Sequence, residues 1–216
     1  MRKAVQRVVL KDVLVGVVWL CGGQSNMTFQ MWPSPRIGQH AGRELNGYYD
    51  LMLTSEPLVR GVCMPIRWGD KEKECGSLKW FAFTPDNYAD GKDFSAAAWH
   101  FAVRLSQGLK MPVGVIESAW DGTCIETWIS PEGYAASERF RNLATRKIAP
   151  SRKQMEMERK TGRKSILNQQ PRACWNAMIY PLAPYGLEGA IWYQGCANRG
   201  NWREYYEKLA ALRTGW

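Results

Sequence analysis

The chain has 216 residues, a formal net charge of +9 and a 45% share of hydrophobic residues. This length and composition suit one globular domain with a buried core. No uninterrupted apolar stretch approaches the roughly 20 residues that a membrane span needs, so we expect no membrane partner. The basic, then apolar, start of the chain is broken by Arg7, Lys11 and Asp12. It does not match a signal-peptide core, and the localisation is not predicted.

Much of the positive charge lies in one segment. Between Glu138 and Lys164 there are ten Lys or Arg and three Glu, which gives 10 − 3 = +7. Nucleic-acid binding would require aromatic residues between these charges or a recognition motif, and Phe140 is the only aromatic residue there. We therefore expect no nucleic-acid partner. The segment is interpreted as a solvated helical face, with an anion-attracting surface as the alternative.

The six cysteines show no Cys-x-x-Cys pair and no spacing typical of a metal site. Buried thiols are the simplest interpretation, and a disulfide such as Cys63–Cys75 is the alternative for an exported protein. His40 and His100 do not stand near a cysteine in a ligand pattern. No metal and no organic cofactor are expected.

Apolar runs alternate with helical patterns along the chain. Ser95 is suited to cap a helix that runs to about Leu109. Loops are expected over Met31–Leu58 and Lys71–Asp93. Further helices are expected over a mostly helical stretch from Pro131 to about Lys164 and over Trp202–Leu212. Strands are expected at residues 13–21, 59–67, 113–117 and 189–193. Strands separated by helices predict an α/β fold whose parallel sheet is covered on both faces.

Three candidate site residues follow the ends of predicted strands: Ser25, Gly122 and Asn198. Ligands of parallel sheets bind at the carboxyl ends of the strands, so these residues are expected at one rim. Ser25 lies in the turn Gly23–Met27, where a hydroxyl is lifted clear of the sheet as a nucleophile; the alternative is a helix N-cap serine. Met27 replaces the second glycine of the Gly-x-Ser-x-Gly elbow, which argues against an α/β-hydrolase.

Ester hydrolysis also needs donors for the developing oxyanion. The backbone N–H groups of Ser25 and Gly122 are candidates, because glycine allows close approach of a substrate to the main chain. The side-chain amide of Asn198 is the third. The alternatives are a plain turn glycine at Gly122 and a loop asparagine that binds its own backbone at Asn198.

Four stretches in order resemble the sialate O-acetylesterase-like carbohydrate esterases, a branch of the SGNH hydrolases. They are Gly23–Met27, Ser118–Trp128, Asn176–Leu182 and Ala190–Asn198. The second stretch is similar to "Trp-Gly-Gly-Thr-x-Ile-Glu-x-Trp", with Asp121 in place of the first glycine. The fourth is similar to "Ile-Trp-Tyr-Gln-Gly-Glu-Ser-Asn", with Cys196 and Ala197 in place of Glu-Ser.

The resemblance implies a three-layer α/β/α, flavodoxin-like SGNH hydrolase domain over residues 1–216. It implies a serine esterase acting on acetylated carbohydrate, with substrate contacts at Gln24, Asn26, Trp120 and Gln194. The family also carries a later Asp-x-x-His block that supplies the acid and base, and this block does not occur in the chain. We therefore expect an incomplete domain that lacks its C-terminal part, has low activity or none for want of the acid and base, and self-associates through the edge of the fourth strand.

The chain contains two histidines as candidates for the proton acceptor, His40 and His100. His100 falls inside the Ser95–Leu109 helix and is expected to be a packed or surface residue, and His40 has no evident carboxylate to orient it. Five aromatic residues near the rim are either core residues or stacking surfaces for sugar rings. They are Trp32, Trp120, Trp128, Trp192 and Tyr193. The alternative functions are an acetylxylan esterase or other acyl hydrolase, and a non-catalytic glycan-binding remnant.

Overall fold

The computed structural model describes residues 9–31, 55–84, 93–183 and 185–216. In this part of the chain, five strands form one sheet in the order β3-β2-β4-β1-β5. The strands are β1 (Val17–Gly23), β2 (Glu56–Cys63), β3 (Phe81–Phe83), β4 (Val113–Ala119) and β5 (Gly189–Tyr193). Strand β1 lies between β4 and the edge strand β5, so the residues that follow it have a neighbouring strand end on each side.

The sheet is parallel except at one edge. Strands β1, β2, β4 and β5 run in the same direction, whereas β3 pairs antiparallel with β2. The predicted parallel sheet is confirmed for these four strands, whereas the prediction of a loop over Lys71–Asp93 is wrong at β3, which adds an antiparallel edge strand. A strand of three residues, Phe81–Phe83, is too short to show a clear alternation in the sequence.

Side chains of the central strands alternate between two cores. Leu20 and Ile116 face one core, and Cys21 and Val115 face the other. The helix α1 (Ala96–Leu109) covers the second face. The first is covered by α2 (Pro131–Ala136), α4 (Tyr205–Gly215) and the short helical segments Ile125–Trp128, Trp175–Ile179 and Tyr180–Leu182. The predicted α/β fold, with a sheet covered on both faces, is confirmed.

Helix α1 begins and ends where the sequence predicts. The hydroxyl oxygen of Ser95 accepts a hydrogen bond from the N–H of Ala98, and Lys110 ends the helix in the left-handed conformation. Such a cap satisfies a backbone donor that the first turn would otherwise leave without a partner.

The stretch from Pro131 to Lys164 is less helical than predicted. It contains α2, a short 3-10 turn at Arg141–Leu143 and the helix α3 (Arg152–Thr161), with irregular chain between them. Helix α3 has no buried residue, which fits the predicted solvated face. Its composition is strongly polar, so the sequence gives helical propensity without a face that packs on the core.

Strand β5 stands at an edge of the sheet, and Tyr193 is exposed. Beside it, an apolar groove of about 770 Å³ is lined by Trp175, Trp192 and Trp216 among others. Self-association through this edge stays a prediction. The last helix begins at Tyr205 rather than Trp202, because Cys196–Glu204 forms irregular 3-10 turns with a kink at Asn201.

All six cysteines are free thiols, so the Cys63–Cys75 bridge does not form. Cys21 and Cys174 are buried, as the simplest interpretation expects, but Cys63 and Cys196 are exposed. Within the described ranges, no group of three or more His, Cys, Asp or Glu is arranged to hold a metal ion. No helix among the described residues is long and apolar enough to cross a membrane.

Candidate active site

The pairing register brings three strand ends side by side. Gly23, the last residue of β1, lies opposite Ala119 of β4 and Tyr193 of β5. Backbone hydrogen bonds continue past the strands, from the Trp120 N–H to the Gly23 oxygen and from the Gln24 N–H to the Tyr193 oxygen, each 3.2 Å. Because paired strands lie about 4.8 Å apart, the three loops that follow start as close neighbours.

The first loop presents Ser25. Gly23 has φ +150°, and a Cβ there would lie 2.3 Å from the Tyr193 oxygen, so only glycine fits at this position. The N–H groups of Met27 and Thr28 both donate to the Gln24 oxygen, which closes a tight turn. Met27 is buried in the core below the turn, whereas Ser25 is exposed. The buried methionine fixes the turn and leaves the serine hydroxyl accessible.

The second loop presents the backbone of Gly122. This residue has φ +69°, and the space where its side chain would lie is open. The side chain of Gln169 holds the loop from outside, since its amide donates to the Gly122 oxygen at 2.7 Å and its oxygen accepts from the Cys124 N–H at 3.0 Å. Among the described residues, no acceptor faces the N–H of Ser25 or of Gly122. Both N–H groups are available to a ligand.

Asp121 lies between these two loops and is exposed. The hydroxyl of Thr28, in the Ser25 turn, donates to its carboxylate and lies 3.3 Å from the Ser25 main-chain oxygen. This contact joins the first loop to the second and leaves a carboxylate beside Gly122.

Gln24 is 4% exposed, and its side-chain oxygen accepts from the N–H groups of Gly195 and Ala197 at 3.3 and 3.1 Å. It therefore holds the third loop, a part that the sequence did not predict. A substrate contact of Gln24 stays a prediction, as do contacts of the exposed Asn26 and the partly buried Trp120.

Asn198 is 3% exposed, and the protein uses its carboxamide on both sides. Its oxygen accepts from the Ile125 N–H at 2.9 Å and from the Gln194 amide at 2.8 Å, and its nitrogen donates to Glu126 at 2.8 Å. The residue ties the third loop to the segment after β4. The same amide nitrogen also lies 3.4 Å from the Asn201 side chain, so an oxyanion-donor part of Asn198 stays a prediction.

Glu126 connects Asn198 to a buried lysine. Lys208, 3% exposed, donates to Glu126 at 2.6 Å and to Glu204 at 2.8 Å. Asn201 accepts a third bond from Lys208 at 2.9 Å in the amide orientation that pairs its donors with acceptors. Burial would raise the pKa of Glu126, but the hydrogen bonds from Lys208 and Asn198 outweigh it and lower that pKa below its usual value.

Gln194 is also held within the protein. Its amide nitrogen donates to the Thr123 oxygen at 3.0 Å as well as to Asn198, and its side-chain oxygen accepts from the Tyr205 hydroxyl at 2.8 Å. These bonds rigidify the rim where the second and third loops meet. The predicted substrate contact of Gln194 stays a prediction.

The aromatic residues near the rim divide into two groups. Trp128 is fully buried, so it is a core residue and not a stacking surface. Trp192 packs edge-on between Trp128 and Trp216, and Trp120 is partly buried against the same core. Tyr193 is exposed beside the rim. Trp32 lies outside the described residues.

The histidines leave the base unassigned. His100 is exposed in the second turn of α1 with its ring against Trp99, and among the described residues no carboxylate contacts it. His40 lies outside the described residues.

Sequence reasoning missed three residues that build the rim. Glu126 lies inside Ser118–Trp128, one of the stretches that resemble the family, so the sequence did mark its position as part of the site. Gln169 and Lys208 reach the rim from distant parts of the chain and have no local signal.

The fold and the rim define a class: an α/β protein with a mainly parallel sheet that presents an exposed serine and free backbone donors at its carboxyl edge. No family model matches the chain. It is 33% identical over 223 residues to sialate O-acetylesterase of Mus musculus, an alignment that covers 90% of this chain and 37% of that protein. The Homo sapiens sialate O-acetylesterase is 34% identical over 194 residues, covering 87% and 32%.

A solved structure of a carbohydrate acetylesterase from Xanthomonas citri superposes with a TM-score of 0.66 and 26% identity. The match covers 91% of this chain and 37% of that one. The resemblance to the sialate O-acetylesterase-like carbohydrate esterases is thus confirmed over most of the chain. The chain spans about a third of the length of the curated relatives that it matches.

Proposed function

We propose that this chain carries the nucleophile and oxyanion-binding part of a carbohydrate O-acetylesterase. The observation that carries the proposal is the exposed Ser25 at the end of the central strand β1, beside the free N–H of Gly122. The relatives that are named as esterases for acetylated sugars favour this chemistry over other uses of an exposed serine.

In the proposed reaction, the Ser25 oxygen attacks the acetyl carbonyl carbon, and the electron pair of the double bond moves onto the carbonyl oxygen. The N–H groups of Ser25 and Gly122 bind this oxyanion. The carbonyl double bond then re-forms, the bond between the acetyl carbon and the sugar oxygen breaks, the proton of the Ser25 hydroxyl passes to that sugar oxygen, and acetyl-Ser25 remains. Water attacks the acetyl group, acetate departs, and Ser25 regains its proton.

Asn198 has two parts in this proposal. Its hydrogen bonds to Ile125 and Glu126 hold the third loop in place. To act as the third oxyanion donor, its amide nitrogen would turn from the Asn201 side chain, 3.4 Å away, to the substrate. The loss of one oxyanion donor typically lowers turnover on the order of 10²–10³-fold.

Activity measurements with matched serine variants test the proposal. We expect the chain to release acetate from acetylated sugars at a low rate, because the acid and base of the family's Asp-x-x-His block are not among its residues, and Ser25→Ala to abolish that release. Ser77→Ala is the control, because Ser77 is exposed and has no hydrogen bond among the described residues. Equal activity of the Ser25→Ala variant and the wild type would refute the nucleophile assignment.

Two other functions give different results in the same assay. An acyl hydrolase of lipase type would prefer long-chain p-nitrophenyl esters over the acetyl ester. A non-catalytic glycan-binding remnant would bind acetylated sugars without releasing acetate, and its binding would be unaffected by Ser25→Ala. The similarity to a sialate O-acetylesterase and to a carbohydrate acetylesterase leaves both sialic acids and other acetylated sugars as substrates.

A further inference from the structure

We propose that Asp121 is a specificity-determining residue that disfavours acidic sugars and so directs the site to acetyl groups on neutral sugars. The inference rests on the proposed esterase function and adds the substrate class. It follows from the position of the Asp121 carboxylate, its lack of a cationic partner and the long range of charge interactions.

The position of Asp121 is fixed by its neighbours. It directly precedes Gly122, whose free N–H is a proposed oxyanion donor, and it accepts a hydrogen bond from Thr28 in the Ser25 turn. The Ser25 loop and the Gly122 loop start from adjacent strands. A sugar ester whose carbonyl reaches both backbone N–H groups therefore lies beside this carboxylate.

Within the described part of the chain, no cation compensates the charge of Asp121. Among the described residues, no Lys or Arg lies within ion-pair distance of it. Glu126 forms an ion pair with Lys208, and Glu117 is buried below the edge of the sheet. Among the described residues at this rim, Asp121 is thus an exposed carboxylate without a cation that an incoming sugar encounters. The basic segment of residues 139–164 raises the overall charge but supplies no ion-pair partner to Asp121.

The expected size of the effect follows from Coulomb's law. Two unit charges of the same sign about 8 Å apart repel enough to weaken binding by roughly 2- to 30-fold between the dielectric of water and that of a protein surface. A carboxylated sugar meets this repulsion in its bound state, whereas a neutral sugar does not. The same carboxylate also opposes the developing oxyanion, but that effect is common to both substrates.

The first test compares Asp121→Asn with the wild type on two acetylated sugars, one neutral and one carboxylated. Asparagine keeps the acceptor for Thr28 and removes the charge. We expect kcat/KM for the carboxylated substrate to rise about tenfold more than that for the neutral substrate. Raising the salt from about 0.02 to 0.5 M should also reduce the preference of the wild type for the neutral sugar, because salt screens the repulsion of the carboxylated sugar.

Glu188→Gln is the matched control, since it removes one exposed negative charge directly before β5, at the opposite end of the sheet. It should leave the substrate ratio unchanged. An equal change of both substrates in Asp121→Asn would overturn the inference.

A binding measurement separates this inference from the esterase proposal. Ser25→Ala and Ser25→Ala with Asp121→Asn are titrated with the same two sugars by ligand-observed NMR, which needs no turnover. If the double variant binds the carboxylated sugar more tightly than Ser25→Ala does and binds the neutral sugar equally well, the proposed role of Asp121 is supported. An unchanged ratio of the two dissociation constants contradicts it, whether or not the wild type hydrolyses esters.

Discussion

Two carboxylates, the buried Glu117 and the partly buried Glu126, lie on opposite sides of the sheet and have opposite surroundings. Glu117 of β4 faces α1, and no cation pairs with it among the described residues; its Oε2 accepts from the Ser95 N–H at 2.8 Å. Burial raises the pKa of Glu117 from 4.5 to about 7. Glu126 is bound by Lys208 and Asn198, and its pKa is lowered. Burial raises the pKa of both carboxyl groups, and their hydrogen-bond and charge partners decide whether the net shift is upward or downward.

The two carboxylates therefore hold the structure around the candidate site in different ways. Glu117 holds the start of α1 by accepting a hydrogen bond, which the neutral carboxyl group can also accept. Ionisation of this buried group therefore lowers the stability of the fold. Glu126 needs its charge, because it holds Lys208 and the amide of Asn198. We expect acid to weaken the Glu126 side and alkali to weaken the Glu117 side.

The largest effect is expected from Lys208→Met. It leaves Glu126 buried without its cation, and the loss of one partner of a buried pair typically costs about 3–5 kcal/mol of unfolding free energy. Urea denaturation at pH 7 measures this cost. The double variant Lys208→Met with Glu126→Gln should recover most of it. Failure of the second change to restore stability would show that the ion pair is not the source.

The next effect concerns pH. Since the folded-state pKa of Glu117 is raised, its contribution to stability is fully present below about pH 4.5 and is lost as pH rises through about 7. The pKa difference corresponds to about 3 kcal/mol. Glu117→Gln should remove this loss, so the variant gains about 3 kcal/mol relative to the wild type between pH 4.5 and 8. Parallel stability curves of the two proteins would contradict the assignment.

The depressed pKa of Glu126 acts in the opposite direction. The contribution of Glu126 to stability is present above the pKa of an ordinary carboxyl group and is lost as the pH falls through its lowered folded-state pKa. Asn198→Ala removes one cause of that lowering and leaves the Ile125 N–H without its acceptor. We expect a loss of about 2 kcal/mol at pH 7 and an earlier onset of acid unfolding. The exposed Asn142→Ala is the control, and equal effects of the two changes would argue against a special part for Asn198.

The smallest effect is expected at the surface of the same network. Arg139 pairs with Glu204 and Glu207 but is about half exposed. Arg139→Ala should cost less than about 1 kcal/mol, because solvent screens exposed pairs. A cost as large as that of Lys208→Met would mean that the network does not divide into a buried and an exposed part.

The sequence predicts the parts of the fold that depend on local pattern. The apolar runs of β1 and β4, the Ser95 cap and the order of strands and helices suffice to place the loop of Ser25 beside that of Gly122. The short β3 and the irregular chain between α2 and α3 do not follow, because they depend on distant packing rather than on propensity.

The hydrogen bonds of the candidate site are harder to predict. Gln24 and Asn198 read from sequence as groups that face a substrate, but the structure turns their oxygens towards the main chain of other loops. The partner of each lies far along the chain, as with Gln169 at Gly122. No local pattern encodes such pairs, although the stretch that contains Glu126 marked the region.

The central claim is that Ser25 attacks the acetyl group. The most direct measurement is mass spectrometry of the protein after rapid acid quench during turnover of an acetylated sugar, followed by peptide mapping. The account predicts an acetyl group on Ser25 in the wild type and in Ser77→Ala, and none in Ser25→Ala. Acetyl release without any modification of Ser25, or the same adduct in Ser25→Ala, would contradict it.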